Sequence, residues 1–207
     1  LKGINRKIYM KRLIVATKNT GKIVEIKDIL KEFPVEVISM VDAGYDLEID
    51  ENGTSFSENA FLKANALYKI SGEMVLADDS GLEVDFLNDA PGVFTSRFAG
   101  FNASQKEKNS KIINLLKGVD EQFRTARFVC SISFISKEAN FITEGFVEGM
   151  IAEKPMGSTG FGYDPIFYLP QYKKTFAQLP ENIKNKVSHR ASAINKFKEK
   201  FASIQGS

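Results

Sequence analysis

Residues 74–81 read MVLADDSG, an apolar run that ends in two carboxylates, a hydroxyl and a glycine. A short apolar run bounded by turn residues predicts a buried strand. Asp78, Asp79 and Ser80 would then lie at the carboxyl end of this strand, where open α/β sheets form their ligand crevices. Two neighbouring acids repel each other unless a positive group joins them, and a divalent cation is the simplest such group. A solvated turn is the alternative interpretation.

The segments before this strand alternate between strand and helix patterns. Residues 13–17 (LIVAT) predict a strand that leads into a helix ended by Pro34, and residues 35–40 alternate like a second strand. Ser55 with Glu58 forms a capping-box pattern at the start of a further helix.

The segments after the strand add a second capping-box pattern, Ser104 with Glu107, and two long strand patterns over residues 127–136 and 139–152. Residues 165–169 predict a short strand, and Ser188 is placed to cap a final helix. Early alternation of strands and helices around a central hairpin indicates a mixed α/β domain with two lobes that face one cleft.

Composition excludes several classes of protein. A net charge of +2 over 207 residues gives no argument for binding nucleic acid. The single cysteine, Cys130, cannot form an intramolecular disulfide, which favours a reducing cytoplasmic location, and its apolar surroundings predict a packed strand residue. The single histidine, His189, excludes metal sites built from several histidines. No apolar run approaches the length of a membrane span. Residues 1–9, before Met10, are interpreted as an N-terminal extension or a cloning remnant.

A possible anion site lies between the first strand and the first helix. Thr17, Lys18, Asn19, Thr20, Gly21 and Lys22 form the segment TKNTGK. Amides at a helix N-terminus attract anions, and glycine lets the backbone approach closely. The segment is not a Walker A loop, since it lacks the first glycine and the hydroxyl residue after the lysine. A plain strand-to-helix turn is the alternative.

Three further segments carry groups for ligand chemistry. The acidic loop DLEIDENG (residues 46–53) offers carboxylates, although most such loops are simply solvated. The segment STGFGYDP offers Phe161 and Tyr163 as flat faces for a base, although such aromatics usually fill a core. The segment SHR places Arg190 at the positive end of a helix, which is unfavourable unless an anion lies nearby.

This inventory of acids, lysines and aromatic residues indicates metal-assisted attack of water on a nucleotide phosphate. A different class of interpretation is a non-catalytic nucleotide- or RNA-binding module that uses Lys196, Lys198 and Lys200 of the final helix. These lysines are more simply the solvated side of an amphipathic helix.

Five segments in order resemble the inosine triphosphate pyrophosphatase family: ATKNTGK, GTSFSENAFLKA, LADDSGLEVDFLNDAPGVFTSRFAG, STGFGYDPIF and VSHRASAI. The resemblance covers nearly all of residues 10–201 and implies a single catalytic domain over residues 10–207. It implies an elongated mixed-sheet α/β fold with two lobes flanking a central cleft, and a homodimer. It also implies Mg²⁺-dependent hydrolysis of ITP, dITP and XTP to the monophosphate and pyrophosphate, which cleanses the nucleotide pool.

The resemblance also assigns site residues. Asp79 would be the general base and a metal ligand, with Ser80 beside the substrate. The second metal ligand would be Asp50, although it is shorter than the family's Glu, and Glu51 is its rival. Residues 17–22 and Lys63 would contact the triphosphate. The base pocket would be formed by Phe161, Gly162, Tyr163, Asp164, Lys184, His189 and Arg190. The nearest enzymatic alternative is a related pyrophosphatase for modified pyrimidine triphosphates.

Overall fold

A computed structural model describes residues 11–100 and 102–205, so the predicted extension at residues 1–9 lies outside the described residues. Within that part of the chain, seven strands form one sheet in the order β2-β1-β3-β4-β5-β6-β7. The strands are β1 (Lys11–Val15), β2 (Val35–Ser39), β3 (Met74–Val84), β4 (Thr125–Ile135), β5 (Asn140–Ile151), β6 (Phe167–Leu169) and β7 (Lys174–Thr175). β1 pairs in parallel with β2 and β3, and the remaining neighbours pair antiparallel. The predicted mixed sheet is confirmed.

Helices cover the sheet: α1 (Thr20–Leu30), α2 (Phe56–Ser71), α3 (Gln105–Leu115), α4 (Glu181–Val187) and α5 (His189–Gln205). None of these described helices combines the length and the apolar character needed to cross a membrane. The Ser104–Glu107 capping box is complete. Ser55 caps α2 by accepting the Glu58 amide, whereas the Glu58 carboxylate accepts the amide and hydroxyl of Thr54 instead. Local signals therefore determine where the helices begin.

The prediction that the central strand ends at the two acids is wrong. β3 does not end at Asp78 but continues to Val84, paired with β4 from Val75 onward. β1 ends at Val15, opposite Leu76, so it is the end of β1 that leaves an opening beside the acids. The acids and Ser80 consequently occupy the middle of an antiparallel strand.

Apolar packing surrounds this polar centre. One cluster lies beneath α1 and α5 and includes Leu76 and Phe197, and a second lies beneath α2 and includes Val75. A third cluster joins the far ends of β3 and β4 to α3 and β6, and it includes Leu82. Cys130 is fully buried in the first cluster, as predicted. Residues 78–80 thus lie where these clusters meet.

Of the three lysines of α5, Lys196 and Lys200 are exposed and Lys198 is partly buried, as expected for the solvated side of an amphipathic helix. The ammonium groups of Lys196 and Lys200 donate to the carbonyls of Glu144 and Ile142 on β5, and that of Lys198 donates to Ile29 of α1. Their charges therefore satisfy main-chain acceptors while the apolar side of the helix packs on the sheet.

Candidate active site

A cleft of about 1190 Å³ opens between the α1 end of the sheet and the glycine-rich loop before β6. It is lined by all predicted substrate-binding residues and by Asp79: residues 17–22, Lys63, Asp79, Ser80, residues 161–164, Lys184, His189 and Arg190. Of the two rival metal ligands, Glu51 lines the cleft, and Asp50 is exposed outside the described lining. Residues from distant parts of the chain therefore meet around one cavity.

The turn between β1 and α1 forms one wall of this cleft. The Asn19 side chain accepts the amide of Lys22 (3.1 Å) and caps α1, and Thr17 Oγ1 accepts the amide of Asn19 (3.2 Å). A Cβ at Gly21 would lie 2.7 Å from the ring of Phe161, so only glycine lets these two walls approach. The positive end of α1 consequently faces the cleft beside an aromatic ring.

The acidic loop folds over this turn. Lys18 Nζ lies 2.7 Å from Asp46 Oδ1 and 2.6 Å from Glu48 Oε1. These ion pairs are exposed, and such pairs contribute little to stability. Their effect is to bring the loop that carries Glu51 to the mouth of the cleft.

The two neighbouring acids of β3 use different cations. Successive side chains of a strand point to opposite faces of the sheet. Asp79 meets Lys63 of α2 (Oδ1 to Nζ 2.9 Å), whereas Asp78 meets Lys22 of α1 and Arg190 of α5. The expectation that one shared cation joins Asp78 to Asp79 is therefore wrong, because the pleat separates the two carboxylates.

Asp79 is mostly buried, at 7% exposure, and it lines the cleft. Burial raises the pKa of Asp79 above its ordinary value, although the charges of Lys63 and Lys22 act in the opposite direction. A carboxylate with a raised pKa is a better proton acceptor near neutral pH than an ordinary one. The local environment thus suits a general base.

Asp79 and Glu51 offer oxygen ligands to one cation. Lys63 Nζ lies 2.9 Å from Asp79 Oδ1 and 3.1 Å from Glu51 Oε2, so both carboxylates already converge on one positive charge. Among the described residues, no group of three or more His, Cys, Asp or Glu could hold a metal ion. Mg²⁺ in nucleotide enzymes commonly uses one or two carboxylates together with substrate phosphates and water, so the residues present fit this ion.

Asp78 is fully buried and organises the floor of the cleft. Its Oδ2 accepts from Arg190 Nε (2.9 Å), and its Oδ1 pairs with Lys22 Nζ. Burial alone would raise the pKa of Asp78, but the charges of Arg190 and Lys22 outweigh it and hold that pKa well below its ordinary value. Asp78 is therefore an anion throughout the neutral range.

The sequence predicts that Arg190, at the positive end of α5, needs an anion nearby, and the protein itself supplies that anion. Arg190 is 1% exposed, and its guanidinium pairs with Asp78 and with Glu25 of α1. The expected anion near Arg190 is thus supplied by two carboxylates of the chain itself. Glu25 is not among the residues predicted from the sequence, although an acid next to Ile26 on the buried side of α1 is a detectable signal.

The glycine-rich loop forms the opposite wall. Asp164 Oδ2 accepts from the amide of Phe161 (2.8 Å) and from Lys184 Nζ (2.6 Å). Lys184 Nζ also lies 4.8 Å from the centroid of the Phe161 ring, a cation–π contact. Gly162 has φ of 64°, a left-handed conformation that favours glycine. This wall presents the Phe161 ring beside two buried charges.

Tyr163 has a different surrounding from Phe161. Its ring belongs to the third apolar cluster, and its hydroxyl donates to the carbonyl of Thr95 (3.0 Å). Burial raises the pKa of the Tyr163 phenol above its ordinary value. Tyr163 therefore supports the cleft mainly through packing, the alternative considered for it from the sequence.

His189 is buried beneath the cleft and stacks on Phe128, with ring centroids 4.7 Å apart. Its Nδ1 has no hydrogen-bond partner among the described residues. Burial, assisted by the nearby charge of Arg190, holds the pKa of His189 well below its ordinary value. The imidazole is therefore neutral at physiological pH.

Neutral His189 makes stability dependent on pH. The unfolded chain takes up a proton at His189 below about pH 6.5, whereas the folded protein does not until its lowered pKa is reached. The stability contributed by neutral His189 is thus fully present above that pH and is lost as the pH falls. We expect the melting temperature of the wild type to fall by up to about 3–5 °C more per pH unit than that of His189→Phe. Thermal unfolding between pH 7.5 and 5 measures this, and parallel profiles would contradict it.

Comparisons with known proteins agree over almost the whole chain. The model of the Ham1 family matches residues 13–200. The dITP/XTP pyrophosphatase of Clostridium perfringens is 43% identical over 202 residues, covering 94% of this chain and 99% of that protein. That of Bacillus subtilis is 46% identical over 191 residues, covering 92% and 96%.

Solved structures agree as well. The Ham1 protein of Staphylococcus aureus has a TM-score of 0.83 at 40% identity, covering 93% of this chain and 99% of that chain. A HAM1 protein from Coxiella burnetii has a TM-score of 0.84 at 38% identity, covering 94% and 100%. The fold and the sequence thus indicate the same relationship.

Proposed function

Because this chain belongs to the Ham1 family, we propose that it hydrolyses dITP, XTP and ITP to the nucleoside monophosphate and pyrophosphate. Membership confirms the resemblance drawn from the five sequence segments, since these relatives are named dITP/XTP pyrophosphatases. The observation that carries the proposal is that Asp79, Lys22 and Arg190 line one cleft although they come from three separate elements.

The phosphate half of the cleft is assigned to the α1 end. The N-terminus of α1 offers a positive dipole end, and Lys22 and Lys63 offer ammonium groups. Both lysines are paired with carboxylates here, and an ammonium group has three donors, so each would bind phosphate oxygens while it keeps its carboxylate partner. These groups would bind the triphosphate and stabilise the departing pyrophosphate.

Asp79 is assigned as the general base. Its carboxylate would accept a proton from a water that attacks the α-phosphorus, and Lys63 would hold the carboxylate in place. Asp79 and Glu51 would hold Mg²⁺, which when bound supplies charge neutralisation on the phosphate oxygens. Ser80, whose hydroxyl lies 2.9 Å from Arg190 Nη2, would stand beside the substrate.

The base half of the cleft is assigned to the glycine-rich loop and the start of α5. The ring of Phe161 offers a stacking surface with Lys184 and Arg190 beside it, and His189 lines the same cleft. A hydrogen-bond donor aimed at the purine 6-position donates to a keto oxygen, and it has no acceptor when adenine presents its amino group there. Sites built on such a hydrogen bond discriminate by roughly 10⁴–10⁵.

Pyrophosphate release tests the function directly. The substrates are dITP, XTP and ITP, with ATP, GTP and dUTP as comparisons, each with Mg²⁺ and with EDTA. We expect release from the first three only, and only with Mg²⁺. Release from dUTP but not dITP would favour the pyrimidine alternative, and tight nucleotide binding without any release would favour a binding module.

The second metal ligand is tested by a matched pair of variants. Glu51 lines the cleft and contacts Lys63, whereas its neighbour Asp50 lies outside the described lining. We expect Glu51→Gln to raise the Mg²⁺ concentration for half-maximal rate by about tenfold or more. Asp50→Asn should leave it unchanged. The opposite order in a Mg²⁺ titration would assign the ligand to Asp50.

A homodimer is also proposed, on the strength of the family resemblance. The turns beyond β3 and before β4 expose three phenylalanine rings, Phe86, Phe94 and Phe123, which a second copy of the chain would cover. Sedimentation velocity should give a species of twice the chain's mass.

A further inference from the structure

We propose that Asp78 is a positioning residue that fixes the spacing between the phosphate-binding and base-binding halves of the cleft and thereby contributes to base selection. The inference rests on the proposed function, because it takes Lys22 as a phosphate contact and Arg190 as a base contact. Asp78 itself is 0% exposed, while its neighbours Asp79 and Ser80 line the cleft.

The two carboxylate oxygens of Asp78 serve different halves of the cleft. Oδ1 pairs with Lys22 Nζ, on the phosphate side, and accepts from Ser80 Oγ (3.2 Å). Oδ2 accepts from Arg190 Nε (2.9 Å), on the base side, and from Cys130 Sγ (2.9 Å). One planar group thus holds a residue from each half.

The carboxylate of Asp78 is held in a fixed position. Its backbone is paired with Ile132 in the middle of the long β3–β4 ladder, so the carboxylate is fixed to the sheet. Lys22 and Arg190 belong to separate helices, α1 and α5. Since both cations contact the same carboxylate, its position sets their separation, and that separation determines how a nucleotide is placed when both ends are bound. Displacing a reacting group by 1 Å can cost about 10²-fold in rate.

A purely structural ion pair is the competing explanation. Buried ion pairs can often be replaced by apolar residues without loss of stability, so burial alone does not assign a role. The ratio of kcat/KM for dITP to that for dATP separates the two explanations. Partial unfolding lowers kcat/KM for dITP and for dATP by the same factor, whereas a displaced Arg190 changes the ratio of the two values.

The first test is Asp78→Asn. The amide keeps the side-chain shape but presents a donor to one of the two cations, so Lys22 or Arg190 loses its acceptor. We expect the dITP-to-dATP ratio to fall by about tenfold or more. The matched control is Phe201→Ala, a core change at the far end of α5 that destabilises the fold without touching the cleft. Its ratio should equal that of the wild type.

The second test is Lys22→Met, which keeps the proposal falsifiable if Asp78→Asn does not fold. Lys22 faces phosphates that dITP and dATP share, so an independent phosphate contact would lower kcat/KM for both nucleotides equally. If Asp78 links the two halves, the ratio falls as well, because the phosphate end of the nucleotide is no longer held at a fixed distance from Arg190. An unchanged ratio in Lys22→Met, or in folded Asp78→Asn, would overturn the proposal.

The two levels of inference fail in distinguishable ways. A wild type that releases no pyrophosphate from dITP would refute the proposed function. A wild type that prefers dITP over dATP, with variants that keep this preference, would refute only the role of Asp78.

Discussion

Asp79→Asn lowers kcat for pyrophosphate release by about 10²–10⁴-fold, the usual cost of removing a general base. The amide has nearly the same volume, so the packing of β3 is kept. It cannot accept a proton from water, and it is a poorer partner for Lys63, which lies 2.9 Å from Asp79 Oδ1. Lys63 keeps Glu51 as a counter-charge at 3.1 Å, so the fold is retained.

The measurement is steady-state turnover of dITP together with thermal unfolding. The control is Glu83→Gln, which removes a carboxylate from the same strand outside the described lining of the cleft. This control should keep the wild-type kcat. A folded Asp79→Asn enzyme that retains more than about a tenth of wild-type turnover would remove Asp79 from the role of base.

Arg190→Met lowers the free energy of unfolding by about 3–5 kcal/mol, because it leaves Asp78 and Glu25 buried without their shared cation. Methionine keeps most of the aliphatic stem, so the change isolates the loss of charge. For a chain of this length the melting temperature should fall by at least about 6 °C. The folded fraction should also lose discrimination between dITP and dATP.

Arg127→Ala provides the contrast. Arg127 pairs with Asp85 (3.4 Å) and Glu148 (3.2 Å), but its side chain is 37% exposed. Exposed pairs contribute about 1 kcal/mol or less, so the melting temperature should change little. If Arg190→Met melts within about 2 °C of the wild type, corresponding to less than about 1 kcal/mol, the buried network does not stabilise the fold.

Local signals in the sequence predict where α2, α3 and α5 begin and most strands of the sheet, but they miss α4 and the continuation of β3. The side-chain amide of Asn19 and the hydroxyl of Ser104 each accept a backbone amide at the start of their helix. These capping interactions are local and do not depend on distant contacts. The five family segments predicted which residues surround the cleft, and the lining contains all of those named for substrate binding. Their individual roles remain predictions.

The sequence does not predict contacts between residues that lie far apart in the chain. β3 continues past Asp78 because β4 supplies hydrogen bonds to a polar stretch that would otherwise form a turn. Asp78 finds its partner Arg190 at a separation of 112 residues, and Glu25 finds Arg190 at 165. Periodicity within a short window contains no information about such partners. The same limit explains why the sequence indicates an anion at the start of α5 but not that Asp78 and Glu25 supply it.

The uninterrupted ladder between β3 and β4 has a consequence for motion during turnover. Amide protons in the centre of such a ladder exchange with solvent only through openings about as rare as global unfolding, whereas loops exchange readily. Asp79 is therefore a stationary reference point. The segments that carry Glu51 and Phe161 lie outside the strands and helices, and they are the parts free to adjust around an incoming nucleotide. Isotope exchange followed by mass spectrometry should show protection gained in those two segments when nucleotide binds, against an unchanging, slowly exchanging background at residues 78–80.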